Sequence, residues 1–281
     1  MEAREREDSV RTVARDGDPD RYASALFAPR GSREPLIALY AFNVELARIA
    51  EQVSEPQLGE IRLQWWRDAL DRASAGEATG QPVADAVGSA VRRYALSRDR
   101  IASLIDARTF DVSVKIMPDT AALDDYLSKT AGALFHLAAE VAAPHKAGAI
   151  EPAVRAAGIA YGLTGLMRAL ADHASRGRVD LPAETLLRHG TSPAQLIAGQ
   201  TSKGLTDVLA EFRETARVAL KSARRHVAAL PRETRKAFLP LALVDPYLSA
   251  LQRTDPLRQV AEINPLYRLW RLSTCRFPPS A

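Results

Sequence analysis

Residues 32–53 read SREPLIALYAFNVELARIAEQV, and their apolar side chains recur at the spacing of one helix face. Leu39, Phe42, Leu46, Ile49 and Val53 follow one another at intervals of three or four residues, so they form a single stripe. The same spacing continues along almost the whole chain, and no alternating run of β-branched residues lies between turn signals. The sequence therefore predicts an all-α fold, with a serine at position 32 as the N-cap of this helix.

About ten helices are predicted from the apolar spacing and from the glycines and prolines that interrupt it. Besides 32–53, the expected helices cover 56–70, 82–96, 97–114, 120–143, 150–174, 204–230, 232–253 and 265–275. Pro240 and Pro246 should bend or split the helix over 232–253, because proline removes a backbone donor. The segment 175–200 reads as a loop that carries one or two short helices.

No linker, repeat or low-complexity tract divides the chain, so we expect one helical domain, a single bundle, over residues 21–281. Residues 1–20 are densely charged and are expected to form an N-terminal tail, either mobile or a solvated helix. The helices over 120–143 and 150–174 are rich in alanine and glycine. Such small residues are typical of helices that pack closely at the centre of a bundle.

The composition of the 281 residues excludes several classes of protein. The 38 Lys+Arg and 34 Asp+Glu give a net charge of only +4, with both signs mixed along the chain, which argues against a nucleic-acid surface. Cys275 is the single cysteine, so no internal disulfide is expected and a reducing compartment fits. No stretch approaches the roughly 20 apolar residues that span a bilayer. We expect a cytoplasmic protein for which any membrane contact is peripheral.

Three motifs, in order along the chain, carry a family resemblance. They are Leu26-Phe27-Ala28-Pro29, Ala38-Leu39-Tyr40-Ala41-Phe42 and, after Arg168, Arg176-Gly177-Arg178-Val179-Asp180-Leu181-Pro182. In these motifs, and from about residue 21 to the last helix, the sequence resembles the squalene and phytoene synthases. The resemblance implies their helical fold. It also implies, for active members, head-to-head joining of two prenyl diphosphates by Mg²⁺ held between two aspartate-rich helix faces.

The chain departs from the family pattern where these aspartates are expected. Positions 47, 48 and 51 of the first face hold an alanine, Arg48 and Glu51. Positions 169 and 173 of the second face hold an alanine and His173, and Asp172 is turned by roughly 100° around the helix. We therefore expect neither face to hold Mg²⁺, and hence no metal and no cofactor. His173 itself is expected at a solvated helix end.

A second set of motifs narrows the resemblance. It consists of Ala41-Phe42-Asn43-Val44-Glu45-Leu46-Ala47, Val53-Ser54-Glu55, Arg62-Leu63-Gln64-Trp65-Trp66, Leu187-Arg188-His189-Gly190 and Pro265-Leu266-Tyr267-Arg268-Leu269-Trp270. These motifs are similar to the branch of the superfamily that serves in the assembly of respiratory complex I. The resemblance implies a non-catalytic assembly factor that contacts a complex I subunit or assembly intermediate. It also implies a location at or near the inner face of the energy-transducing membrane.

Four residues are candidates for a residual phosphate- or lipid-binding site: Arg168, Arg176, Arg178 and Tyr40. The alternative for Arg176 and Arg178 is that they pair with nearby acids, such as Asp172 and Asp180, and fix their loop. The alternative for Tyr40 is an ordinary core position. Both interpretations of these residues stay open at this point.

Trp65 and Trp66 are candidates for a partner or membrane contact. Adjacent helical positions point roughly 100° apart, so at most one of the two rings can face the centre of the core. The other ring is then an anchor at a partner surface or a membrane interface, or a half-buried rim position.

Two further functions are compatible with the sequence. The first is a Mg²⁺-dependent prenyltransferase in which Glu51 and Asp172 serve a rearranged metal site. The second is an isoprenoid- or lipid-binding carrier without an assembly role. The assembly factor is the preferred interpretation, because it accounts for the residues that replace the aspartates.

Overall fold

The computed structural model describes residues 2–53, 55–143, 150–275 and 277. These residues form helices and no strand, which confirms the predicted all-α class. Ser54, within one of the motifs above, lies outside the described residues. The α-helices are α1 Glu2–Gly17, α2 Pro19–Leu26, α3 Arg30–Gln52, α4 Pro56–Ala75, α5 Pro82–Tyr94, α6 Arg98–Ser113, α7 Thr120–Leu127, α8 Ala133–Ala142, α9 Glu151–Ser175, α10 Ala183–Arg188, α11 Pro193–Ile197, α12 Lys203–Ala228, α13 Arg232–Arg235, α14 Val244–Leu251 and α15 Pro265–Thr274.

The chain forms two compact units, and each is assembled from three separate segments. The first unit comprises Met1–Ser113, Ala133–Glu151 and Leu230–Pro240, and the second comprises Val114–Gly132, Pro152–Ala229 and Leu241–Ala281. The first unit therefore contains α1 to α6, α8 and α13, and the second contains α7, α9 to α12, α14 and α15.

Helix α3 is the centre of the first unit, where it contacts α1, α2, α4, α5, α6 and α8. The stripe predicted from the sequence is its buried face, since Leu39, Phe42, Leu46 and Ile49 are almost completely shielded from solvent. Burying an aliphatic or aromatic side chain of this size contributes about 1.5–3 kcal/mol, so this face holds the unit together.

The predicted N-cap of α3 is wrong. The helix begins two residues earlier, at Arg30, because the backbone NH of Ser32 already donates to the carbonyl of Pro29. Ser32 is buried inside the first turns, where its hydroxyl donates to the carbonyl of Val141.

The charged leader forms α1, which packs against α3. Val10 and Ala14 are buried on one side of α1. Arg11, on the more exposed side, pairs with Glu34 at a distance of 2.5 Å between Nη2 and Oε1. The expected forms of this segment are a mobile tail and a solvated helix. The structure has a helix, and one side of it is packed against α3 rather than solvated.

In the second unit, α9 packs closely on the end of α7 and the turn that follows it. A π-helical turn, Ser128–Gly132, interrupts the helix expected over 120–143. A Cβ added at Gly158 would lie 3.0 Å from the Cα of Gly132, and one added at Gly162 would lie 2.5 Å from a methyl of Leu127. The expectation that small residues serve close packing is confirmed for this contact.

The C-terminal part of the chain follows the predicted breaks. Helix α13 continues into a 3-10 helix, Lys236–Leu243, which contains Pro240, and α14 then begins two residues before Pro246. The segment 175–200 carries the two short helices α10 and α11, as expected. Among the residues described, every helix is too short or too polar to pass through a bilayer.

Candidate functional site

The first of the two faces at which the resemblance implies aspartates lies on α3, in the first unit. Arg48 lies one turn from Glu45, with its Nη1 3.8 Å from the carboxylate Oε1. Glu51 is exposed in the last turn of the same helix. The face thus carries Arg48, which already has Glu45 as an acidic neighbour. Glu51 is the one carboxylate at positions 47, 48 and 51.

A polar cluster under this face was not foreseen from the sequence. Arg108 on α6 is buried and donates from Nη2 to the side-chain oxygen of Asn43 on α3 at 2.8 Å. Its Nη1 donates to Asp111 at 2.8 Å, and the Asp111 carboxylate is almost completely buried. The buried ion pair lies within α6, and the hydrogen bond to Asn43 ties it to α3, a contact over 65 residues of sequence that no local pattern signals.

Tyr40 lies in the interior of the first unit, 3% exposed. Burial raises the pKa of its phenol above the ordinary value of 10.0, and the guanidinium of Arg21, 6.0 Å from the ring centroid, opposes this only in part. Tyr40 therefore occupies an ordinary core position.

The second face lies on α9, in the second unit, and its acid is also paired. Asp172 accepts a hydrogen bond from Arg176 at 3.0 Å on the exposed side of the helix. Arg176 thus pairs with a nearby acid on its own helix turn.

His173 stands where the resemblance implies an aspartate. It is not at a solvated helix end, so that expectation is wrong. Its ring is largely buried, and Nδ1 is in close contact with the carboxylate of Asp180, in the loop after α9. Arg178 completes the group: its Nη2 lies 3.0 Å from Nε2 of His173 and donates to Asp180 at 3.1 Å. We call these three residues the His173 cluster.

The pKa of Asp180 reflects this arrangement. Burial by itself would raise the pKa of the carboxyl, but the hydrogen bond from His173 and the charge of Arg178 bring it below the ordinary value of 3.8. The Asp180 carboxylate is therefore ionised, and it is held between the side chains of His173 and Arg178 inside the second unit.

The Arg-Gly-Arg element owes its shape to backbone contacts as well. Gly177 adopts a φ of +74°, which lets the chain turn at the end of α9. Val179 then pairs with residues 115–117: its NH donates to the carbonyl of Lys115 at 2.8 Å, and its carbonyl accepts from Met117 at 2.9 Å. Two backbone hydrogen bonds at Val179 consequently hold the loop against residues 115–117.

Arg168, the remaining arginine of the predicted site, contacts a ring of the second unit. Its guanidinium carbon lies 3.7 Å from the ring centroid of Tyr247 on α14, and Nε donates to the carbonyl of Ala261 at 3.1 Å. A planar guanidinium stacked in this way joins α9 to the C-terminal segment.

The two tryptophans on α4 have the different environments that the helix geometry requires. Trp66 is 5% exposed, with its ring centroid 5.3 Å from that of Phe42. Trp65 is 41% exposed and touches Trp66 edge-on. Leu58 and Ile61 are exposed on the same side of α4, and with Trp65 they form an apolar strip.

Within residues 2–53, 55–143, 150–275 and 277, no group of three or more His, Cys, Asp or Glu side chains could hold a metal ion. The carboxylates that remain near the family positions are divided between the units, Glu51 in the first and Asp172 in the second.

Known proteins similar to this chain fall into two groups. The chain is 32% identical over 249 residues to "NADH dehydrogenase (ubiquinone) complex I, assembly factor 6" of Bos taurus, a match that covers 86% of the chain and 73% of the relative. It is 28% identical over 232 residues to "Presqualene diphosphate synthase" of Rhodopseudomonas palustris, covering 82% of the chain and 81% of the relative.

The solved structures show the fold. A squalene synthase from Alicyclobacillus acidocaldarius superimposes with a TM-score of 0.77 at 21% identity, covering 90% of this chain and 95% of the synthase. The family model of squalene/phytoene synthase matches residues 14–270, nearly the whole sequence. From this match, the chain belongs to the squalene/phytoene synthase family.

Proposed function

We propose that this protein is a non-catalytic assembly factor for respiratory complex I, located in the cytoplasm and peripherally at the inner face of the energy-transducing membrane. The similarity to complex I assembly factors over most of the chain supports the assembly role. The proposal assigns the protein a binding function, exercised on a subunit or intermediate of the complex.

The observation that carries the proposal is the His173 cluster. An Mg²⁺ site that ionises a prenyl diphosphate needs carboxylates directed at the ion from both helix faces. At the second face a histidine occupies the expected position and is bound to Asp180, while Asp172 is paired with Arg176. At the first face Arg48 would repel the cation. This donor set does not fit a magnesium site.

The same contacts support a structural role for the three arginines. Arg176 and Arg178 are paired with Asp172 and Asp180, and Arg168 is stacked on Tyr247. Each of them thereby stabilises the second unit. A phosphate- or lipid-binding role for these residues and Tyr40 stays a prediction.

A partner would be recognised by the exposed surface. The apolar strip on α4 offers three large side chains, Leu58, Ile61 and Trp65, at helical spacing on the first unit. Exposed aromatic and aliphatic side chains of this kind are typical anchors of protein interfaces.

Deletion of the gene tests the assembly role. We expect assembled NADH:quinone oxidoreductase to fall on native gels, while squalene, hopanoid and carotenoid contents stay unchanged, and the wild-type gene to restore the complex. A strain with normal complex I and missing triterpenes would contradict the proposal.

A second candidate is a Mg²⁺-dependent prenyltransferase that uses Glu51 and Asp172, and the 28% identity to a presqualene diphosphate synthase favours it. The pure protein, incubated with farnesyl diphosphate and Mg²⁺, distinguishes the two. We expect no release of diphosphate. Release that is abolished by Glu51→Gln or Asp172→Asn would establish the enzyme.

A further inference from the structure

A groove lies between α9 and α12, and all the residues that line it belong to the second unit. Its volume is about 760 Å³, within the range of roughly 300–1,000 Å³ that is typical of small-molecule sites. The small, buried side chains of Ala156 and Ala219 line it together with the aliphatic side chains of Ile159 and Val218. Val218 is 62% exposed, so an apolar side chain of the groove is open to solvent. We call this the α9–α12 groove.

The acids that line the groove are already paired. Glu211 accepts a hydrogen bond from Nη2 of Arg188 at 2.6 Å, and its carboxylate lies 2.7 Å from Nε2 of His189. The hydrogen bond with His189, aided by the charge of Arg188, holds the pKa of Glu211 below its ordinary value of 4.5. Glu214 pairs with Arg217 at 3.5 Å. Neither carboxylate therefore offers an unpaired negative charge to a ligand.

The basic side chains of the groove are available to a ligand. Arg155 on α9 and His226 in the last turn of α12 both line it. Within the part of the chain that the structure describes, neither side chain has a hydrogen-bond or ion-pair partner. A guanidinium and an imidazole can both donate hydrogen bonds to an oxyanion. The polar groups that a ligand can use in this groove are thus donors to an anion.

The course of the chain places these donors at one end of the groove. Helix α10 follows α9 closely in sequence and packs against the first half of α12, where Arg188 reaches Glu211. Helix α12 therefore starts near the end of α9, and its last turn, with His226, lies toward the start of α9, with Arg155. From Glu211 to His226 the rise along α12 is about 22 Å, enough to accommodate an extended acyl chain.

We propose that the α9–α12 groove binds the anion of a long-chain carboxylic acid. The acyl chain would lie on the aliphatic side chains of both helices, and the carboxylate would accept hydrogen bonds from Arg155 and His226. This ligand matches both the apolar walls and the unpaired donors at one end. Arg168, Arg176 and Arg178 do not line the groove, so the site is distinct from the phosphate or lipid site predicted from the sequence. The inference goes beyond the assembly role and does not depend on it.

Isothermal titration calorimetry of the pure full-length protein with sodium dodecanoate tests the groove. We expect one dodecanoate to bind per chain. Hexanoate should bind at least about a hundredfold more weakly, because six fewer methylenes leave water. Dodecyltrimethylammonium, which has the same chain and the opposite charge, should bind at least about tenfold more weakly, because it cannot accept hydrogen bonds from the donors.

Two variants at exposed positions, each with a matched control, locate the site. Arg155→Gln should weaken dodecanoate binding about tenfold through the loss of a charge-assisted contact. Arg225→Gln, in the last turn of α12 but outside the groove, should leave the affinity unchanged. Val218→Asp should weaken binding about tenfold or more, because it places a carboxylate in the apolar wall. Val260→Asp, at an exposed valine elsewhere in the second unit, should have no effect.

Circular dichroism verifies that all four variants are folded. A photoreactive diazirine analogue of dodecanoate gives a second readout that does not depend on a loss of binding. We expect its label, mapped by mass spectrometry, in residues 152–159 and 211–226.

Several outcomes would overturn the inference: no binding of dodecanoate, equal binding of dodecyltrimethylammonium, label confined to other residues, or wild-type affinity in both Arg155→Gln and Val218→Asp. Binding to phosphatidylglycerol vesicles without binding of free dodecanoate would refute it as well. If dodecanoate does not bind, and Val218→Asp fails to restore complex I in the deletion strain while Val260→Asp restores it, the groove belongs to a protein partner instead. The assembly role is tested separately by the gene deletion.

Discussion

Asp180 holds together the loop that follows α9. Its carboxylate is buried and is contacted by His173 and Arg178, so His173 is committed to a contact inside the second unit. A buried charge that loses its partners costs several kcal/mol. The cluster is therefore important for the stability of the second unit.

We expect Asp180→Asn to lower the free energy of unfolding by about 3 kcal/mol at pH 7. Because the pKa of Asp180 is lower in the folded state than its ordinary value of 3.8, its contribution is present above that value and is lost as the pH falls through the folded pKa. In urea denaturation, the difference in the free energy of unfolding between the wild type and Asp180→Asn should thus become smaller as the pH is lowered toward 3.

Asp172→Asn is the control, since its pair with Arg176 is exposed and such pairs contribute at most about 1 kcal/mol. Equal losses for the two variants, or a loss for Asp180→Asn that does not depend on pH, would contradict the role given to the His173 cluster.

The neighbouring tryptophans allow a second test of single residues. Trp66→Ala should cost about 3–5 kcal/mol, because it leaves a cavity beside Phe42 in the core. Trp65→Ala should cost about 1 kcal/mol or less, because its ring is in good part exposed. Urea denaturation of both variants measures the difference, and similar losses would refute the distinction between core and surface tryptophan.

At the scale of the elements, small residues set the distance between helices. A Cβ added at Gly88 on α5 would lie 2.5 Å from the carbonyl carbon of Ala73 on α4, closer than real contacts allow. Gly165 on α9 has no atom within 4 Å of the corresponding position. The first glycine is required by packing, and the second only weakens its helix.

We therefore expect opposite effects of two identical substitutions. Gly88→Ala should destabilise the protein by about 1–3 kcal/mol, because α4 and α5 must move apart. Gly165→Ala should stabilise it by about 0.5–1 kcal/mol through the higher helix propensity of alanine. Thermal unfolding followed by circular dichroism measures both effects, and a stabilised Gly88→Ala variant would contradict the close contact.

Prediction from the sequence succeeded where the signal was local. The apolar stripe of α3 and the splitting of the helix expected over 232–253 both depend on residues a few positions apart. The pairs formed by Arg176 and Arg178 are the local alternative that the sequence left open. Two features were missed because other interactions overrode local preference. Ser32 lies inside the first turns of α3 and donates to the carbonyl of Val141 on α8, and the π-helical turn lies where α9 approaches closely.

The candidate site was predictable only in part. The residues that stand where the resemblance implies aspartates could be read from the motifs, but the burial of His173 depends on its contact with Asp180, seven residues later, which no motif signals. The cluster of Asn43, Arg108 and Asp111 joins helices that are far apart in sequence, so no spacing pattern could indicate it. The exposure of Trp65 rather than Trp66 likewise depends on how α4 packs.

At the scale of the whole molecule, the chain keeps the fold of the squalene/phytoene synthase family, while Asp172 is paired with Arg176 and Arg48 has Glu45 as its acidic neighbour. The proposed assembly role requires the folded surface and not the remaining carboxylates. The two requirements can be separated genetically. Glu51 is exposed, and the pair of Asp172 with Arg176 lies at the surface, so we expect both positions to accept a neutral substitution.

Complementation of the deletion strain with the Glu51→Gln/Asp172→Asn variant makes this separation directly, with assembled NADH:quinone oxidoreductase as the readout. We predict that the double variant restores the complex to the level given by the wild-type gene. Failure to restore it, with the variant protein present at the wild-type amount, would mean that the carboxylates act in the function and would contradict the account.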